Sequence, residues 1–79
     1  MKIRPGDRVV VKWLDAYGHH DAWTMDGDAF RGKKFKVETL GYCLGRRKGY
    51  LRLCGDWAKG QKGRVFAIPC GMVLSVERI

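Results

Sequence analysis

A chain of 79 residues has room for one domain with one small core, and at this length only about 60% of the unfolded surface is buried on folding. Its 46% hydrophobic residues exclude a disordered chain, and its apolar runs fall well short of the ~20 residues of a membrane span. Sixteen Lys and Arg against eight Asp and Glu give a net charge of +8, as expected for a protein with an anionic partner or simply for a soluble one. No signal-peptide pattern opens the chain. We therefore expect one soluble, cytoplasmic domain over residues 1–79 with no membrane association.

Five segments of period-two hydrophobicity follow one another along the chain, and none has the spacing of an amphipathic helix. Pro5-Gly6 is a turn signal before the β-branched run at 9–11, and Pro69, which cannot donate to a ladder, fits the turn before the last segment. The predicted strands are 7–14, 33–44, 50–54, 64–68 and 72–79, with a long acidic loop at 15–32 and basic or Gly-rich loops at 45–49 and 55–63.

The alternation also predicts which side chains face the core. In the first strand Val9, Val11 and Trp13 share one face. Inward positions in the later strands are Val37, Leu51, Leu53, Phe66 and Ile68, whereas Tyr50 and Arg52 face outward. Gly41, inside the longest strand, predicts a bulge or a sharp bend.

Cys43, Cys54 and Cys70 are odd in number and lack CxxC or CxxH spacing. We expect them to be small buried side chains and not a disulfide framework. A three-cysteine metal site completed by His19 or His20, an intermolecular disulfide and a reactive thiol are the alternatives.

Five short strands with one long loop favour an all-β, five-stranded small barrel, because closure removes exposed sheet edges. The opening Arg4-Pro5-Gly6-Asp7-Arg8-Val9-Val10-Val11 and the closing Ala67-Ile68-Pro69-Cys70-Gly71-Met72-Val73 resemble the ends of Src-homology-3-like and Sm-like barrels. The order Val11-Lys12-Trp13-Leu14-Asp15, a lone Trp23, Val37-Glu38-Thr39-Leu40-Gly41-Tyr42, Tyr50-Leu51-Arg52-Leu53 and Ile68-Pro69 is similar to small barrels encoded by phages and prophages. That resemblance implies a viral origin and no catalytic residues, since its members largely lack an assigned activity.

The basic residues are concentrated in one part of the chain. No Lys or Arg lies within 13–30, whereas 31–64 contains eleven basic residues against two acidic ones. Cations that contact phosphates, interleaved with rings that stack on bases, are typical of single-strand binding. We assign a nucleic-acid or anion-binding site to Lys33, Lys34, Arg46, Arg47, Lys48, Tyr50, Arg52, Lys59 and Lys62, with Tyr42 or Trp57 as further aromatic surface.

The acidic loop supports two other hypotheses. It carries His19, His20 and several aspartates, which raises a divalent-metal site, although the calcium-loop pattern is incomplete and we expect no metal. It also carries Trp23 and Tyr17, which could be a partner-binding surface, while an anchor packed on the barrel is the structural alternative for Trp23.

Catalysis has little support. Ser75 is the sole serine and lacks a Gly-rich elbow, and the loop 55–63 lacks Walker spacing. We expect a non-catalytic binding module without a cofactor, for nucleic acid or a phosphorylated small ligand. The alternative is a protein-interaction or inhibitor module that docks on a host protein, such as a defence component, through Trp23 and the acidic loop. Oligomer formation is left open.

Overall fold

The protein is all-β in the computed structural model, which describes residues 2–16 and 34–79. The strands are β1 (Arg8–Ala16), β2 (Lys34–Arg47), β3 (Tyr50–Ala58), β4 (Gln61–Pro69) and β5 (Val73–Arg78), with a 3-10 turn at Cys70–Met72. All neighbouring strands are antiparallel and form one sheet in the order β4-β3-β2-β1-β5. The described residues contain no helix long and apolar enough to cross a membrane.

Strand β2 is shared between two hairpin-like pairings, and it changes partner at Gly41 and Tyr42. Its first half pairs with β1, up to Tyr42 opposite Arg8, and its second half pairs with β3, from Tyr42 opposite Cys54. A Cβ on Gly41 would lie 2.8 Å from the carbonyl oxygen of Cys54, so only glycine permits this approach of the two backbones. The bend predicted at Gly41 is therefore a close crossing between β2 and β3.

The two loops predicted on either side of β3 are largely strand. Instead of ending at 54, β3 continues to Ala58, and β4 begins at Gln61, so the loop assigned to 55–63 is a long hairpin with a two-residue turn. Gly60 has a φ of 78°, and this single left-handed position lets the turn close within two residues. The Gly-rich composition of this segment thus serves pairing and not loop flexibility.

The turn between β2 and β3 is equally short. Lys48 and Gly49 both have positive φ, 52° and 82°, as a type I′ turn requires. A bulge between Cys43 and Gly45, before the last three residue pairs of the β2–β3 ladder, adds an extra residue to β2, and Gly45 there has a φ of 103°. The predicted loop 45–49 is thus a bulge followed by a tight turn.

One face of the sheet carries the core. Its buried members are Val9, Val11, Cys43, Leu51, Leu53 and Ile68, and Trp13, Phe66, Val73 and Val76 pack against them partly buried. The inward assignments for β1, β3 and β4 are confirmed; each fully buried Leu or Val contributes about 1.5–3 kcal/mol relative to exposure. Cys43 and Cys54 are buried on strands, as predicted, whereas Cys70 is half-buried; all three thiols are free.

The prediction of a closed barrel differs from the strand pairing, which is that of an open sheet. No ladder joins β4 to β5 within the described ranges. Pro69 ends β4 without an N–H, the next amide, of Cys70, donates to the carbonyl of Gly49 at 2.8 Å, and the 3-10 turn then leads to β5, which pairs with β1. Strands β4 and β5 therefore lie at opposite edges. The predicted acidic loop falls almost entirely outside the described residues.

Substitution of Gly41 by Ala is expected to destabilise the protein by about 1–3 kcal/mol, because the new methyl group would overlap the backbone of Cys54. Urea denaturation measures the change. Gly71→Ala is the matched control, since a Cβ there meets nothing within 4 Å. Equal stability of the two variants would contradict the close crossing.

Substitution of Lys48 by Asn is expected to stabilise the protein by about 0.5–1 kcal/mol, because Asn tolerates the left-handed conformation of a type I′ turn better than Lys does. The same substitution removes one positive charge. A thermal or urea transition that falls below that of the wild type would show that the turn has another form in solution.

Candidate nucleic-acid interface

The face of the sheet opposite the core carries basic and aromatic side chains in cross-strand rows. Residues directly opposite in a ladder point to the same face. The row nearest the β2–β3 turn contains Arg47, Tyr50 and Pro69, and the next contains Gly45, Arg52 and Ala67. Arg47 and Tyr50 are therefore neighbours, with Arg52 one row away.

A third row extends this surface to β1. Arg8 lies opposite Tyr42, Tyr42 opposite Cys54, and Cys54 opposite Val65. We call the set of Arg8, Tyr42, Arg47, Tyr50 and Arg52 the basic sheet face. Arg8 was not among the predicted site residues, although its alternation with the inward Val9 was a usable signal. The strand register places it beside Tyr42.

Arg46 lies on the other face. It is opposite Leu51, which is buried in the core, and it lines a cleft of about 300 Å³ together with Ile3, Cys43, Gly45 and Val76. The cluster that the sequence analysis treated as one site is therefore divided: Arg46 borders the core, whereas Arg47 and Arg52 share the basic sheet face. Lys48 occupies the turn itself and is exposed.

Lys59 and Lys62 lie at the other end of β3, in the β3–β4 hairpin. Lys59 is exposed in the turn. The Nζ of Lys62 donates to the carbonyl of Ala58 at 2.8 Å and lies 4.1 Å from the ring centroid of Trp57. Lys62 is thus already engaged by the hairpin, by a hydrogen bond and a cation–π contact, which makes it a structural cation as much as a candidate ligand.

Trp57 connects this hairpin to the centre of the sheet. Its ring centroid is 5.7 Å from that of Tyr42, with a tilt of 44° between the planes, and its edge lies against Gly6. This aromatic pair is only partly covered, since Trp57 is 43% exposed. Trp57 and Tyr50, which is 44% exposed, are seven residues apart on β3, a span of about 23 Å.

The one acidic side chain between Arg46 and Arg64 is neutralised locally. Arg64 donates two hydrogen bonds to the Asp56 carboxylate, at 2.8 and 3.1 Å. Its guanidinium lies across Gly55, where a Cβ would come within 2.9 Å of it, so glycine leaves room for this pair. The hydrogen bonds and charge of Arg64 lower the pKa of Asp56, and Asp56 raises that of Arg64.

The remaining cations of this segment have no acidic partner among the described residues. Arg46, Arg47, Lys48, Arg52, Lys59 and Lys62 form no ion pair there. The Nε of Arg52 is buried and has no hydrogen-bond partner within the described part of the chain. The three arginines of the basic sheet face, Arg8, Arg47 and Arg52, therefore form no ion pair within 2–16 and 34–79.

Some predicted site residues cannot be placed on this surface. Lys33, Tyr17, Trp23 and both histidines lie outside the described residues, and Lys34 is described only as the backbone start of β2. Within the described ranges, no group of three His, Cys, Asp or Glu side chains could hold a metal ion. The predictions for the acidic loop stay predictions.

Comparison of the chain with protein-family models, with curated proteins and with solved structures found no match.

Replacement of Arg64 by Gln is expected to raise the pKa of Asp56 back toward its ordinary value, since both hydrogen bonds from the guanidinium are lost. Because the folded pKa is lowered, the pair stabilises the fold above the ordinary carboxyl pKa and loses this effect as the pH falls through the lowered value. The stability effect is small, because both side chains are exposed.

Carboxyl carbon shifts followed by NMR through a pH titration report the pKa of Asp56 directly. Lys62→Gln is the control, because it removes a charge from the same hairpin without touching the Asp56 carboxylate. An Asp56 pKa that does not respond to Arg64→Gln would show that the pair does not form in solution.

Proposed function

We propose that this protein is a non-catalytic module that binds nucleic acid through its basic sheet face. The observation that carries the proposal is the arrangement around Tyr50: an exposed ring lies between Arg47 and Arg52 on one face, with no acidic partner for either guanidinium in the described residues. Arginine guanidinium groups bind phosphate oxygens, and aromatic rings stack on bases. The arginines can therefore bind the phosphate of a nucleotide while Tyr50 stacks on its base.

The affinity would come mainly from the cations. Each phosphate neutralised by an Arg or Lys releases condensed counterions, so binding weakens as salt rises, with a log–log slope of about −0.7 per contact for a single strand. Arg47 and Lys48 at the turn, Arg52 in mid-strand and Arg8 across the sheet give several such contacts along one surface. Arg64 is not included among these phosphate-contacting cations, because it already forms an ion pair with Asp56.

We also propose that the open sheet is the greater part of a small barrel of the Src-homology-3-like or Sm-like type, as in phage-encoded proteins. The partner change along β2 and the 3-10 turn between β4 and β5 support this interpretation, because both bend the chain around one core. The alternative function, docking on a host protein through Trp23 and Tyr17, depends on residues outside the described ranges and has no structural support.

The two adjacent arginines of the β2–β3 hairpin offer a matched test. Arg47→Ala is expected to weaken binding of a labelled single-stranded oligonucleotide more than Arg46→Ala does, and to lower the salt slope by about one contact. Both variants lose one positive charge at neighbouring positions, and they differ in the face of the sheet from which that charge is removed. Fluorescence anisotropy at about 50 and 200 mM salt measures the difference.

Lys48→Asn extends this test, since it removes charge from the turn while the turn is expected to become more stable. Weaker binding by Lys48→Asn can then not be attributed to unfolding. Absence of salt-sensitive binding to RNA, DNA and duplex alike would overturn the nucleic-acid proposal and redirect the search to phosphorylated small ligands and host proteins.

A further inference from the structure

We propose that the basic sheet face contains a subsite for one unpaired nucleotide over Gly45, formed by Tyr50 and Arg52, and that the protein therefore selects single strands over duplexes. This inference rests on the proposed function and makes it more specific. A basic surface alone attracts any nucleic acid, whereas this subsite requires a base that is free of its partner strand.

The subsite is an opening in the row that contains Gly45, Arg52 and Ala67. Gly45 has no side chain, and a Cβ built there would meet nothing within 4 Å. Ala67 on the other side contributes only a methyl group. Arg52 is thus the one long side chain of its row, and neither Gly45 nor Ala67 has a side chain large enough to fill the space beside it.

Arg52 carries an unsatisfied donor in this row. Its Nε is buried and has no hydrogen-bond partner among the described residues. A buried donor without a partner is costly, and a charged one more so, and an anionic oxygen that reaches it would offset that cost. The planar guanidinium presents Nε and a terminal nitrogen side by side, which matches two oxygens of a phosphate.

Tyr50 supplies the second half of the subsite. It lies two residues from Arg52 on β3 and on the same face, so their attachment points are about 7 Å apart. Its ring is 44% exposed, and its neighbour on β2 is Arg47, whose long side chain can flank the ring. A base stacked on Tyr50 would hold its own phosphate within reach of Arg52.

Strand selection follows from the stacking requirement. In a duplex the faces of each base are covered by the adjacent base pairs, so no face is free for a tyrosine ring. A single strand can splay one base onto Tyr50 without unpairing energy. Duplex binding would use the cations alone and would not depend on the ring.

The experiment compares a fluorescein-labelled oligothymidylate of about ten nucleotides with a duplex of the same length, at about 50 mM salt, by anisotropy. The wild-type protein is expected to prefer the single strand. Tyr50→Ala should weaken single-strand binding by about 5-fold to 100-fold and leave duplex binding nearly unchanged, whereas Tyr50→Phe, which keeps the ring, should bind like the wild type.

Charge-preserving variants test the guanidinium. Arg52→Lys keeps the charge but loses Nε and the planar fork, so it should weaken single-strand binding several-fold, and more than Arg47→Lys does. Circular dichroism checks that each variant is folded. If Tyr50→Ala does not fold, the NMR signal of the Arg52 Nε–H in the wild-type protein decides, because it should shift on titration with the oligothymidylate.

Equal affinity for single strand and duplex, together with no effect of Tyr50→Ala or Arg52→Lys, would overturn this inference and leave the proposed function intact. An Arg52 Nε–H signal that does not move at saturating oligothymidylate would also overturn it. Loss of all salt-sensitive binding in the wild-type protein would overturn the proposed function itself.

Discussion

The architecture depends on the close crossing of β2 and β3 at Gly41. A side chain there would overlap the carbonyl of Cys54, so the absence of a Cβ is what allows one strand to pair with β1 over its first half and with β3 over its second. Tyr42 pairs with Arg8 of β1 on one side and with Cys54 of β3 on the other, so this residue aligns the β1–β2 ladder with the β2–β3 ladder. This alignment places Val9 on the core face opposite Gly41, and it places Arg8 beside Tyr42 on the other face.

The chemistry of the candidate surface depends in turn on one extra residue. The bulge before Gly45 shifts the alternation of β2, and the two-residue turn at Lys48 and Gly49 then sets which positions meet across the hairpin. As a result, Arg46 meets the core-lining Leu51 and Arg47 meets the exposed Tyr50. Adjacent arginines of the same charge thereby acquire different surroundings, one at an apolar cleft and one beside an aromatic ring.

The two ends of β3 use their aromatic and basic residues differently. At the β3–β4 hairpin, the ammonium group of Lys62 already contacts the carbonyl of Ala58 and the ring of Trp57, so its interactions stabilise the hairpin. At the β2–β3 hairpin, Arg47 and Arg52 form no ion pair with the described residues, and a buried donor of Arg52 lacks a partner. The β2–β3 hairpin is therefore the end of β3 suited to a ligand, because a bound ligand can form hydrogen bonds and ion pairs there that the folded protein does not form by itself.

By itself, the sequence determined the β class, the strand centres and the inward residues such as Val9, Leu53 and Ile68, because period-two alternation is a local property of each segment. It also indicated the surplus of cations between Arg46 and Arg64. It did not reveal that the segment 55–63 pairs as a hairpin, since glycines there read equally as a loop, nor that the sheet stays open between β4 and β5. Tertiary structure alone decided that Arg8 belongs beside Tyr42 and that Arg46 faces away from Arg47, because cross-strand register and a bulge act between segments distant in the chain and leave no periodic signal within any one of them.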